Sequence, residues 1–530
     1  MRPRFHALLT LAEFLIVALP CASNAQEADI LLRGGSVIDG SGSAAIVADI
    51  AIRNEKIVHV GDAADVDAAW TIDCTGLIIC PGFIDLHNHS DRQVVNAATR
   101  AAVNYVTQGC TTIVTGNCGS GPVDTGDYYE KIDQHGAGPN VAHLIPQGSL
   151  RERILGSGNI KPTDEQLKEI LELSEKAMQD GAWGMSTGLI YVPSSYASTE
   201  ELIAIAKIVS AHGGIYASHI RGEGTTLLKS VDEALRIGRE ARVPVHVSHF
   251  KSSGRDAWGL VREAARMIDA ARKSGRAVTA DQYPYIASST SLGATLLPSS
   301  ARAGGTKELI KRLDDPETGA RLRTVISNAI MKRDNGKAVR IARYSPNKKW
   351  VGRSLTDIAG SENRPAAEIA EEIIRGGGAS VVNFSMSEVD VRHIMAIDWV
   401  ATASDGRAYL PGSDRPHPRN YGTFPRKLAY YSVQEKVLSL EAAVRSMTSL
   451  PAEILRMTDR GLIKEGLAAD ITVFDVKHLS DTATFDNPHQ YADGIQYVFV
   501  NGTPVVHNGK ATGALPGKAL RYEGHEISVR

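Results

Sequence analysis

Cysteine is scarce in this chain, with five residues in 530. Disulfides therefore cannot be the frame of the fold, and a packed core must carry its stability. Neither sign of charge predominates. A net charge of -2 gives no electrostatic reason to bind nucleic acid or an anionic membrane, and basic runs such as Lys348-Lys349 are short enough to read as solvated surface. Beyond the N-terminus no apolar run is long enough to span a bilayer. What remains is an ordinary globular composition, 43% hydrophobic and 22% charged. The length suits one large α/β domain with a smaller companion.

The first 25 residues differ from the rest. Arg2 and Arg4 precede an apolar run from Ala7 to Leu19, and Ser23-Asn24-Ala25 has the small-x-small pattern of a signal peptidase site. Glu13 interrupts the run, and Pro20 before Cys21 is a poor context for lipid attachment. The expectation is a signal peptide over 1–25 and an exported, periplasmic or secreted chain without a stable membrane anchor. Cys74, Cys80, Cys110 and Cys118 would remain. The spacing of Cys74 and Cys80 leaves their pairing open, and Cys110 reads as a small core residue.

Residues 29–80 alternate apolar and polar side chains between Gly and Asn/Asp turns, the pattern of a small antiparallel sheet. The pattern returns in DITVFDV and YVFVNGTPVVHNG. Both chain ends are thus expected to build one β-sandwich, from 29–80 plus 460–525. Between them, strand-like runs end near His89, Gly119, Gln147, Gly188, His219, His249, Tyr285 and Asp405. Helical periodicity lies between several of them, over 163–180, 225–241 and 256–274. Eight such runs predict a (β/α)₈ barrel over 81–459, an α/β fold. About 120 residues separate Tyr285 from Asp405, where one βα unit needs roughly thirty. Residues 287–346 therefore read as a lid-like insertion before the last strand.

Side chains at the C-terminal ends of barrel strands converge at one mouth, where such barrels keep their chemistry. GFIDLHNH, TGNCG, YASHI, HVSHF and TASDG put His87, His89, Cys118, His219, His249 and Asp405 there. His87 and His89 are two apart on a strand and so share a face. An isolated HxH is a weak signal, and a lone histidine at a strand end is usually a satisfied core residue. The recurrence of ligand types at equivalent strand ends, with His219 and His249 one βα repeat apart, makes the set informative. Nitrogen, sulfur and oxygen donors suit Zn²⁺. Zinc brings the pKa of bound water to about 7 from 15.7, and Asp405 would take the proton and deliver it to a leaving amine. A zinc hydrolase is the reading.

Taken in order, PGFIDLHNHSD, GNCG, SHI, SHFKSSGRDAWG, DQYPY, ASDG and HPRNYGTFPR resemble the signatures of the N-acyl-D-amino-acid deacylases (D-aminoacylases) of the amidohydrolase superfamily, over about 29–525. The resemblance implies a tightly held zinc on Cys118, His219 and His249. It implies a second, weaker site on His87, His89 and Asp405 with the cysteine shared, and Asp405 as general acid/base. It further implies that Arg419, with Lys251 and Tyr283, grips the α-carboxylate of a small N-acyl-D-amino acid or of a peptide with a D-residue. The planar two-donor fork of arginine suits that task. The segment GRAYLPGSDRPHP between Asp405 and Arg419 is slightly longer than the family's pattern, so the substrate side chain, like the oligomeric state, is not specified. Two other readings are a cyclic-amide hydrolase (hydantoinase- or dihydroorotase-like) and a non-catalytic binding protein. The first needs a carboxylated lysine after the fourth strand, where GAWGMSTGLIY has none. The second should have lost ligands, and all six are present.

Overall fold

The computed structural model describes residues 26–524, so the expected signal peptide lies outside the described residues. Eight parallel strands form the central barrel. They are Phe83–Asp85, Cys110–Thr115, Asn140–His143 continued by Ile145–Pro146, Gly184–Gly188, Ile215–His219, Val245–Val247, Val278–Gln282 and Val400–Thr402. The first and last close the ring at their C-terminal ends: Asp405 N donates to His87 O at 2.8 Å and His89 N to Gly406 O at 2.8 Å. These strands are buried on both faces, which is why they read as apolar runs rather than alternations.

The helices packed outside follow from amphipathic spacing and good caps. Asp164–Gln179 begins with a capping box between Thr163 and Gln166. In Leu260–Lys273 the buried residues Val261, Ala264, Ala265, Ile268 and Ala271 recur every three or four positions, so one stripe faces the barrel core. The expected helices at 225–241 and 256–274 begin two to four residues later, at Leu227 and Leu260.

Both chain ends meet in a nine-stranded, mostly antiparallel sheet. Strand Gln26–Val37 pairs with Ile46–Arg53, Val66–Asp73 and Ile78–Pro81, and Ile471–Phe474 joins the other edge of Ile78–Pro81. Leu32, Ile50, Ile72 and Ile79 from the first part share one apolar core with Ile471, Val473 and Phe499 from the second. Cys74 and Cys80 are buried free thiols, and Cys110 lies in a core cluster. The last residues depart from the expected 460–525 unit. Leu520 N donates to Val141 O, Tyr522 N to Gly181 O, and Trp183 Nε1 to Leu520 O at 2.6 Å, so this tail seals the barrel's N-terminal end.

The insertion is larger than expected. It runs from Ala287 to Phe384 rather than ending at 346. Strand Ser380–Phe384 lies between Ala287–Ser291 and Val339–Arg343, and Ile369, Ile373 and Val381 share a core with Leu292, Ile326 and Ile341. A sheet whose central strand comes last in the chain cannot be delimited by local patterning. Among the described residues no helix is long and apolar enough to cross a membrane.

Candidate metal centre and active site

All six side chains expected as ligands meet at the barrel mouth. Cys118 sits in the turn Asn117–Gly119 with φ +52°, and His249 and Asp405 also have positive φ, at +37° and +49°. Such backbone costs a non-glycine residue about 1–3 kcal/mol and persists only where surroundings enforce it. Here they do. Asn117 Nδ2 donates to Leu86 O and Val114 O, pinning the cysteine turn. A Cβ on Gly188 would lie 2.1 Å from Cys118 O, so glycine is required for the fourth strand to approach.

Cys118 Sγ is the hub, 3.3 Å from His87 Nε2, 3.6 Å from His219 Nδ1 and 3.7 Å from His249 Nε2. Tetrahedral zinc with a sulfur bond of about 2.3 Å and nitrogen bonds of about 2.0–2.1 Å needs a separation of roughly 3.5 Å between sulfur and nitrogen, which these distances bracket. His219 Nδ1 and His249 Nε2 are 2.7 Å apart. Asp405 Oδ1 stands 3.0 Å from His89 Nε2 and 3.6 Å from His87 Nε2. The donors make three ion-sized groups: Cys118-His219-His249, His87-His89-Cys118 and His87-His249-Asp405. Thiolate, imidazole and carboxylate are donors that zinc takes, and seating it on this set would widen the 2.7 Å between His219 Nδ1 and His249 Nε2 to the roughly 3.3 Å of tetrahedral coordination.

The local charges reinforce one another. Burial alone would raise the Cys118 thiol, but His87 and hydrogen bonds from His219, His249 and His87 hold it well below its ordinary value, as a thiolate ligand requires. Burial would lower His87 and His89; the facing thiolate and carboxylates raise both, His89 to about 9. Asp405, which burial would raise, is held well below the usual carboxylate range first by Arg419 and then by His87.

Arg419 opens helix Arg419–Arg426 and is 5% exposed, with Nη1 donating to Asp405 Oδ2 at 2.7 Å. Its guanidinium lies 4.8 Å from the Tyr283 ring centroid. The Tyr283 hydroxyl is buried and has no hydrogen-bond partner. Lys251 is tethered to Glu223. Its Nζ donates to Glu223 Oε1 at 2.5 Å, lies 2.9 Å from His249 Nδ1 and is 5.6 Å from the Tyr283 ring. Sequence reasoning missed Glu223 and Asp281. The first lies four residues after His219, in the loop that follows its strand, and the second opens the DQYPY motif at a strand end, positions that could have signalled both. It also missed Tyr191, whose ring lies 5.1 Å from that of His219.

Above the ligands opens a cavity of about 760 Å³. His89, Cys118, Asp405 and Arg419 line it together with Ser289, Thr290 and Arg343 from the insertion, which therefore forms one wall.

The family model described as "Amidohydrolase family" matches residues 71–506. The chain belongs to the amidohydrolase family. This amidohydrolase is 34% identical over 525 residues to a D-aminoacylase of Alcaligenes xylosoxydans xylosoxydans, covering 94% of this chain and 98% of the relative. It is 32% identical to the N-acyl-D-glutamate deacylase of the same organism, over 94% of this chain and 97% of the relative. Among solved structures, an N-acyl-D-glutamate deacylase from Bordetella bronchiseptica, complexed with zinc and a phosphonate mimic of the tetrahedral intermediate, superposes with a TM-score of 0.81. That match has 30% identity and covers 94% of this chain and 100% of the other. The amidohydrolase barrel with its added sheet is thus the fold of this protein, and its clustered thiolate, imidazole and carboxylate groups form candidate metal-ligand sets.

Proposed function

We propose that this amidohydrolase cleaves the amide bond of N-acyl-D-amino acids, or of related amides carrying a D-residue, releasing a carboxylic acid and a free D-amino acid. The observation that carries the reading is the juxtaposition of a cysteine-centred ligand set with the buried Asp405–Arg419 pair at the floor of one open cavity. The relatives' activities support it, as does the zinc in the Bordetella structure. Cys118, His219 and His249 would hold the firm zinc, and His87, His89 and Asp405 a weaker second ion with Cys118 shared. Zinc bound there supplies Lewis acidity, polarising the acyl carbonyl and making water acidic at neutral pH.

The chain's own groups do the rest. Asp405 accepts a proton from the attacking water as the new C–O bond forms. It returns that proton to the amide nitrogen as the C–N bond breaks, so the amine leaves uncharged. Arg419 offers a guanidinium fork to the substrate α-carboxylate, and the unpartnered Tyr283 hydroxyl beside it supplies a further donor. Lys251, tethered by Glu223, adds positive charge behind them. The linear-amide reading is favoured over the cyclic one because strand Gly184–Gly188 carries no lysine to bridge two metals, while Cys118 touches both ligand groups. The retention of all six ligands argues against a binding-only role. The N-terminal pattern of Arg2, Arg4 and an apolar run supports export to the periplasm or beyond.

The test is a panel of N-acetyl-D- and L-amino acids, with zinc content measured in parallel. Hydrolysis confined to D-enantiomers by zinc-containing protein is the expected result. Turnover of dihydroorotate or hydantoins without turnover of linear amides would overturn the reading.

A further inference from the structure

We propose that Asp281 is the positioning residue that locks both halves of the metal centre, acting on His87 through its ring and on His249 through its backbone. Asp281 ends strand Val278–Gln282 one step short of the mouth and is 0% exposed. Its Oδ1 accepts the His249 backbone N–H at 2.8 Å. Its Oδ2 lies 3.4 Å from His87 Nδ1 and 2.9 Å from His246 Nε2. The inference rests on the proposed metal centre and adds a residue that holds no metal itself.

Two consequences follow from these contacts. The imidazole of His87 has one nitrogen facing Cys118 and one facing Asp281. A carboxylate accepts only, so it selects the tautomer with the proton on Nδ1 and leaves the Nε2 lone pair free for the centre. Partners of this kind orient metal-binding histidines, and losing one typically costs about 10–100-fold in metal affinity. The second consequence concerns His249. Its φ of +37° is unfavourable for a histidine, and the hydrogen bond from its N–H to Asp281 fixes that backbone. Glu223 Oε1, 2.9 Å from His249 Nδ1, sets the ring of the same residue. One carboxylate thus holds a member of each ligand group, and His246 holds the carboxylate, since its Nδ1 is itself 2.9 Å from Thr279 Oγ1.

The substitution Asp281→Asn separates these roles. The amide oxygen can still accept from His249 N, but the amide nitrogen presents a donor to His87 Nδ1 and selects the opposite tautomer. Zinc affinity, read by competition with a chromophoric chelator, should fall about 10- to 100-fold for ions that use His87, while the far-ultraviolet circular dichroism stays that of wild type. An Asp281→Asn protein that binds zinc with wild-type stoichiometry and affinity would overturn the proposal. Should that variant fail to fold, the wild type still decides. Nitrogen NMR of histidine-labelled, zinc-loaded protein should show the single ring proton of His87 on Nδ1, facing Asp281, and a proton found on Nε2 instead would also overturn it. Neither readout depends on which amide is hydrolysed, so the assignment can fail while the substrate reading stands.

Discussion

Arg419 donates to Asp405 Oδ2 at 2.7 Å with both side chains nearly buried, so the group proposed to grip the substrate and the group proposed to move its proton are partners before any substrate arrives. Asp405 Oδ1 meanwhile faces the imidazoles of His89 and His87. A substrate carboxylate must compete with Asp405 for the guanidinium, which ties binding at one end of the substrate to proton transfer at the other.

Replacing the carboxylate should separate chemistry from assembly. Asp405→Asn keeps the size of the side chain but accepts no proton from water, and kcat should fall about 10²–10⁴-fold. The zinc on Cys118, His219 and His249 should remain. Steady-state kinetics with metal analysis on one preparation reads both, and near-normal kcat would remove Asp405 from the proton path.

The thiolate hub should be indispensable for metal. Cys118→Ser puts a harder, poorly ionised hydroxyl where sulfur faces three imidazoles, so the firm zinc and most of the activity should be lost together. Retention of both by the purified variant would mean that the ligands lie elsewhere.

The anchor should discriminate in favour of two-donor geometry. Arg419→Ala should lower kcat/KM for an N-acetyl-D-amino acid by about 10²-fold or more, the scale of leaving a buried charge unpaired. Arg419→Lys should also be impaired, because an ammonium lacks the fork. Comparison of N-acetyl-D- and L-methionine in wild type and both variants reads anchor and handedness together. An alanine variant as active as wild type would dismiss the anchor.

Lys427 offers a test of stability away from the reaction. It is 2% exposed, and burial pushes its ammonium down to about 7, against about 10.4 in an unfolded chain. Between those values the unfolded chain binds the extra proton, so the burden on folding is full below pH 7 and fades as pH rises towards 10. Lys427→Met should therefore stabilise the protein by roughly 2–5 kcal/mol near pH 6, and by progressively less at pH 8 and 9. Urea unfolding across that range measures the difference, and a gain that does not shrink with pH would show that the lysine is charged in the fold.

The barrel strands were legible because a doubly buried strand is a continuous apolar run, and the ligands were legible because each ends one of those runs. The insertion was legible as an excess of length but not in its extent. Strand Ser380–Phe384 belongs with Ala287–Ser291 and Val339–Arg343 through pairings across about 90 and 40 residues, which no local period encodes. The tail near Leu520 read as part of the β unit because it follows β-patterned sequence, yet its partners are Val141 and Trp183 of the barrel.

Sequence alone determined which chemical groups this protein has at strand ends, because side-chain identity and a period of two or of 3.6 are local properties. It named Cys118, four histidines and Asp405, whereas Arg419, which opens a helix, entered only through the family resemblance. Only the tertiary structure decided which nitrogen of each histidine faces the sulfur, that Lys251 is held by Glu223, and that Asp281 reaches two ligands from two other strands. Those facts depend on distances between residues 28 to 194 positions apart along the chain. Hydrogen bonding acts over about 3 Å in space, whatever the separation in sequence.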